Sequence, residues 1–189
     1  MRAHGWSRDL KLHKKIEKYY PKLDKRFIFV NSGFNLRPTD IAASIGKSQF
    51  SRLSKFIKIR KQNRLKIINS LTKSKLWKNQ YNFLKINKKV NPSFFGFPII
   101  ISDKYRNLKK KLLKNLESYG VESRPIISGN FLNQPAAKLF KFKQSAKKFS
   151  NSQIIEDRGF FIGLHSKPIN KIQIQLLVKA LLSINNLKN

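Results

Sequence analysis

Cysteine is absent from the 189-residue sequence. That excludes disulfides, thiolate zinc sites, iron–sulfur clusters and a cysteine nucleophile, since each needs a sulfur ligand or attacker. Acidic side chains are scarce as well: 9 Asp and Glu stand against 41 Lys and Arg. A carboxylate pair for general acid–base work is hard to assemble from so few. No stretch approaches the ~20 apolar residues that cross a bilayer, and the opening Met1-Arg2-Ala3-His4-Gly5-Trp6 holds no apolar run of signal-peptide length. The expectation is a cytoplasmic protein without membrane attachment. Phosphate-binding loops of the Gly-x-x-x-x-Gly-Lys kind and Gly-x-Ser-x-Gly elbows are missing, and His4, His13 and His165 stand alone, so no metal set is expected.

What is present is charge and a core. The formal net charge of +32 points toward a polyanion such as nucleic acid, which makes a basic nucleic-acid-binding module one alternative. The basic residues are scattered rather than blocked and no readout motif accompanies them, so a nucleic-acid partner is not the favoured expectation. A hydrophobic fraction of 40% is enough to bury a real core in one ordinary domain.

The pattern along the chain is mixed helix and strand. A loop or short helix leads to the extended run Phe27-Ile28-Phe29-Val30. After a turn at Asn31-Ser32-Gly33, Arg37-Pro38-Thr39-Asp40 opens a helix, with Pro38 suited to the first turn and Asp40 to the positive end of the dipole. Ile41, Ile45, Leu53, Phe56, Ile57, Ile67 and Ile68 predict that this helix continues unbroken to about Ser70. Residues 71–92 are expected to form a connection with little regular structure. The run 93–101 predicts a buried strand, placed at an edge or bulge by Pro98. A helix follows over 105–119, with Leu108, Leu112, Leu113 and Leu116 inward and Gly120 as its cap. Strands are expected at 121–127 and 159–164, and a last helix from Lys167-Pro168-Ile169 with Ile169, Ile172, Leu176, Leu177, Ala180 and Leu181 on its apolar side. The order predicts an α+β layer, a short sheet with helices packed on one side.

Gly33-Phe34-Asn35-Leu36-Arg37 just before a helix start has two readings. Asn35 and Arg37 beside free backbone N–H groups make an anion site for phosphate or carboxylate, or the segment is simply a turn and cap.

Several segments, in collinear order, carry a resemblance. Arg2-Ala3-His4-Gly5-Trp6-Ser7-Arg8-Asp9 and Gly33 to Ala43 come first. They are followed by Phe95-Gly96-Phe97-Pro98, Ser123-Arg124-Pro125-Ile126, Gly129-Asn130 with Gln134-Pro135, and Phe161-Ile162-Gly163-Leu164-His165. Together they resemble the DegT/DnrJ/StrS family of pyridoxal-phosphate-dependent sugar aminotransferases, in the branch of perosamine synthases and nucleotide-sugar 3-dehydrases. The resemblance implies the small C-terminal domain of a fold type I transferase over residues 38–189, with 1–37 as the end of the large domain and a linker. It implies a pyridoxal 5'-phosphate (PLP) cofactor held elsewhere by a lysine as a Schiff base, and a reaction on a nucleotide-linked keto sugar in lipopolysaccharide or other cell-surface polysaccharide synthesis.

The main expectation is a sugar aminotransferase taking nitrogen from a donor such as glutamate, and the alternative is a 3-dehydrase. No lysine here sits in a matching catalytic motif, so no catalytic residue is carried over, and the chain is expected to be inactive without an N-terminal half. Asn35 matches a residue that reaches the cofactor phosphate of the neighbouring subunit in a homodimer, and Arg37 matches one placed to meet that phosphate or a donor carboxylate. Arg124 and His165 match positions near the sugar nucleotide, where cations and donors would face its diphosphate. Surface meant to face a large domain would leave the chain prone to self-association.

Overall fold

The structure, a computed structural model, describes residues 5–8, 10–36 and 38–187, Arg26 by its backbone alone. Arg2, Ala3, His4, Asp9 and Arg37 of the segments quoted above lie outside the described residues. The chain divides into two compact units, Met1–Arg52 and Leu53–Asn189.

The N-terminal unit carries helix α1 (His13–Tyr19) and helix α2 (Asp40–Phe50). An antiparallel bridge joins Trp6 to Phe29, and their rings stack with centroids 6.0 Å apart. Thr39 caps α2, its Oγ1 accepting from the Ala42 N–H at 3.2 Å. The helix expected to reach Ser70 stops at Phe50, and α3 (Leu53–Thr72) begins anew. Among the described residues α2 has no buried one, and the Ser51 hydroxyl donates to the Ser48 carbonyl at 2.9 Å at the break.

The C-terminal unit is an antiparallel sheet with helices on it. Strands β1 (Tyr81–Phe83), β2 (Gly96–Ile101), β3 (Ser123–Arg124) and β4 (Gly159–Gly163) lie in the order β1-β2-β4-β3. Alternation sends Phe97, Ile99 and Ile101 of β2 and Phe160 and Ile162 of β4 to one face. There they meet α3, α4 (Lys109–Ser118) and α6 (Lys171–Leu182) in a single core with Leu71, Leu112, Leu116 and Leu181. The opposite face, with Pro98, Ile100 and Phe161, stays half-buried. Among the described residues no helix is long and apolar enough to cross a membrane.

Three expectations about strands are corrected. Residues 71–92 are not all connection: Tyr81 is buried, donates its hydroxyl to the Leu181 carbonyl at 2.6 Å, and starts β1. The strand expected at 121–127 shrinks to Ser123–Arg124, and Ile127 takes a positive φ of 46°, which no strand accommodates.

Pro98 sits in a central strand rather than at an edge. The Leu164 N–H donates to the Phe95 carbonyl, so the backbone groups of residues 95, 97 and 99 point at β4 and those of 96, 98 and 100 toward β1. The β1–β2 register ends at Phe83↔Ile99, so the missing N–H of Pro98 points past the end of β1, opposite Leu84. The buried Arg64 supplies the absent donor, its Nη2 reaching the Leu84 carbonyl at 2.7 Å while its guanidinium lies over the Phe94 ring. Burial holds the Arg64 pKa below its ordinary range.

Helix ends follow their local chemistry. Gly120 takes φ +72°, its N–H bonds the Glu117 carbonyl, and the Val121 N–H bonds the Leu116 carbonyl, a Schellman closure. The last helix starts at Lys171, later than expected at Pro168. Asn170 forms a capping box there, accepting from the Gln173 N–H while its own N–H donates to the Gln173 side chain. Ile172 stays 76% exposed, outside the expected apolar side.

The Gly129-Asn130 pair anchors segment 131–149 to α5 (Ser150–Arg158). Gly129 has φ +62°, and a Cβ there would fall 2.4 Å from Cβ of Glu156. Asn130 donates through its backbone to Glu156 and through its amide to the Ala146 carbonyl and to Gln153.

Candidate functional site

At one end of the sheet the C-terminal unit opens a cleft of about 760 Å³. Its floor and walls include α3 with Asn63 and Ile67, the end of α4 with Tyr119, β3 with Arg124, the end of β4 with Phe161 to His165, and the start of α6 with Asn170 and Gln173. Arg124 and His165, which stand 41 positions apart in the sequence, therefore line the same cavity, with Lys167 between the latter and α6.

The polar groups have defined states. Arg124 is exposed, and Nε and Nη2 both donate to Oε1 of Glu122, at 3.0 and 2.8 Å. An exposed pair of this kind is weakly held, about 0–1 kcal/mol. The guanidinium thus keeps N–H groups for an incoming anion. Nδ1 of His165 accepts from the Lys167 N–H at 3.0 Å, so the neutral ring carries its proton on Nε2 and presents it as a donor. Phe95 and Phe161 meet edge to face with centroids 5.6 Å apart at the cleft, and Gly96 is what lets Phe161 lie there, since a Cβ would come within 2.6 Å of that ring. Cationic and N–H donors beside aromatic walls suit a ligand that joins phosphate to flat or apolar rings.

Asn35 lies in the N-terminal unit, exposed, at a β-bridge position in the segment that leads toward α2. Arg37, its expected companion, is outside the described residues.

Sequence reasoning missed Asn63. This residue of α3 is 2% exposed and faces the loop that carries His165. Its Nδ2 donates to the carbonyls of His165 and Lys167 at 3.1 and 2.8 Å, and its Oδ1 accepts from the Ile169 N–H at 3.0 Å. The signal was present: Ile59, Asn63, Ile67 and Leu71 form one buried stripe at helical spacing, and an amide inside such a stripe demands partners. Glu122, the counter-ion of Arg124, was missed as well.

A short antiparallel sheet backed by helices, with a donor-bearing cleft at its end, defines a small α+β domain. The chain belongs to the DegT/DnrJ/EryC1/StrS aminotransferase family, whose model matches residues 1–181. It is 31% identical over 169 residues to the GDP-4-keto-6-deoxy-D-mannose 3-dehydratase of Escherichia coli O55:H7, covering 87% of this chain and 42% of that protein. It is 31% identical over 185 residues to the enzyme of the same name from Yersinia pseudotuberculosis, covering 96% and 45%. Among solved structures, the E. coli GDP-4-keto-6-deoxy-D-mannose-3-dehydratase with bound hydrated PLP superimposes with a TM-score of 0.78 at 29% identity, covering 95% of this chain and 45% of that one. The chain spans less than half the length of these relatives. These three are named as 3-dehydratases, which favours the 3-dehydrase alternative over the aminotransferase reading put first from the sequence.

Proposed function

We propose that the chain is the part of a PLP-dependent nucleotide-sugar 3-dehydratase that binds the sugar nucleotide, acting on a GDP-linked 4-keto-6-deoxy sugar. The observation that carries this reading is the convergence of Arg124 and His165 on one aromatic-walled cleft in a chain whose relatives at 31% identity are 3-dehydratases. Residues 38–189 form the small domain and 1–37 the end of a large domain with its linker.

Arg124 and Lys167 bind the diphosphate, Arg124 by turning from Glu122 to a group of higher negative charge. The Nε2–H of His165 donates to a phosphate or sugar oxygen, and Phe95, Phe161 and Tyr119 exclude water around the rings. In this reading the N–H donors of the exposed Asn35 side chain, four residues ahead of the Thr39 cap of the 11-residue α2, meet the cofactor phosphate. These donors fit the phosphate of PLP. Arg37 joins Asn35 in this reading on the sequence resemblance alone, and the contact is made to the cofactor of a neighbouring subunit of a homodimer. When bound, PLP supplies an electron sink, and glutamate serves as the amino donor.

Calorimetric titration of the full chain with GDP tests the cleft. Binding is expected, weakened at least ~10-fold in Arg124→Ala, the loss of one charge-assisted contact; equal affinity in the variant contradicts the assignment. With the complete enzyme, GDP-4-keto-6-deoxy-mannose and glutamate, mass spectrometry separates the two chemistries. A sugar lacking one oxygen is the dehydratase outcome, and an amino sugar restores the aminotransferase reading.

A further inference from the structure

We propose that Asn63 is a positioning residue of the cleft, setting the direction in which His165 offers its donor; this rests on the reading of the cleft as the sugar-nucleotide site. Between β4 and α6 the chain runs from Leu164 to Asn170 without regular structure. Three backbone groups of this loop, the carbonyls of 165 and 167 and the N–H of 169, end on one side chain that comes from more than a hundred residues earlier.

The bonds are matched to an amide. Two N–H donors meet two carbonyls and one carbonyl oxygen meets one N–H, which no carboxylate, hydroxyl or aliphatic group of that size reproduces. Asn63 is 2% exposed, so water cannot substitute freely, and Ile59 and Ile67 on either side along the buried stripe fix its rotamer.

The consequence reaches the ring. The Lys167 N–H that fixes His165 Nδ1 belongs to the peptide next to the carbonyl held by Asn63. The capping box of Asn170 and Gln173 fixes the far end of the loop to α6. His165 is therefore held from α3 and α6 together, while Arg124, on β3, is not. Asn63 itself lines the cleft, but all three hydrogen bonds of its side chain go to the loop, and it acts through them.

The test uses the full chain with GDP as the probe. Asn63→Asp keeps the acceptor for Ile169 and loses both donors; Asn63→Ala loses all three bonds. Leu112→Ala removes core volume outside the cleft and serves as a control of stability. Both Asn63 variants are expected to bind GDP on the order of tenfold more weakly, with Leu112→Ala staying within about twofold of wild type. Nitrogen resonances of the His165 ring are expected to change in both Asn63 variants and not in Leu112→Ala.

Amide exchange at Ile169 is expected to be slow in wild type and in Asn63→Asp and fast in Asn63→Ala. Unchanged affinity in Asn63→Asp, or a parallel loss in Leu112→Ala, overturns the proposal. If wild type fails to bind GDP, the reading of the cleft falls, and unchanged His165 resonances in both Asn63 variants then overturn the positioning role by themselves. If the variants do not fold, rapid exchange at Ile169 in wild type does the same.

Discussion

The two units of this chain draw on the same vocabulary of Phe, Ile, Leu and Lys and arrive at opposite states. In the C-terminal unit, Phe97, Ile99, Phe160, Leu112, Leu116 and Leu181 are sealed from solvent. In the N-terminal unit, Ile28 is the only buried large hydrophobic among the described residues, while Phe34, Ile41, Ile45 and Phe50 are 59–75% exposed. Apolar content does not make a core; a second layer does. The sheet gives the C-terminal unit a face on which α3, α4 and α6 close, and α2 has no such layer within its unit. The N-terminal unit is held instead by local devices, the Trp6–Phe29 bridge and the Thr39 cap.

Core truncation is expected to separate the units most sharply. Phe97→Ala, which also strips the ring stacked 5.3 Å from Phe83, should cost about 3–5 kcal/mol in chemical denaturation, whereas Phe34→Ala should stay within about 0.5 kcal/mol. Equal costs would show that the N-terminal unit has a core of its own. Next, Gly129→Ala should cost about 1–3 kcal/mol, since the methyl group meets both Cα and Cβ of Glu156 at a positive φ; a thermal melt unchanged by it would break the anchoring role given to this turn.

Tyr81→Phe should cost about 1 kcal/mol at neutral pH through the lost bond to Leu181, and it should change the alkaline profile. Burial first, and Tyr105 second, push the Tyr81 pKa above its ordinary 10.0. The unfolded chain releases this proton first, so the stability is complete below pH 10 and falls as pH rises beyond it. Lys109, whose pKa burial lowers against the opposing pull of Asp157 and then Glu156, acts with the opposite sign. Its penalty fades as pH climbs toward the ordinary lysine range, so the difference between Tyr81→Phe and wild type isolates the tyrosine.

The smallest expected change in stability is Ile45→Ser, within about 0.5 kcal/mol. It should nonetheless reduce self-association in sedimentation, because Ile45 is 59% exposed on a helix with no buried face. Undiminished association would move the sticky surface elsewhere.

By itself, the sequence determined what short range controls. Gly120 ends its helix because only glycine enters the left-handed region without strain; Leu108, Leu112 and Leu116 share a face because of helical period; and the ordered motifs placed the chain in its family. Tertiary structure decided what needed distant partners. Tyr81 became a strand residue because its hydroxyl found Leu181. Pro98 entered a central strand because β1 ends before it and Arg64 supplies the missing donor. The 38–70 pattern broke after Phe50, at the end of a helix that has no buried residue. Arg124 and His165 came to line one cleft, and Asn63 to hold the loop of His165, because sheet pairing and a buried amide bring together groups separated by as many as 106 positions, and no local pattern encodes a hydrogen bond of that span.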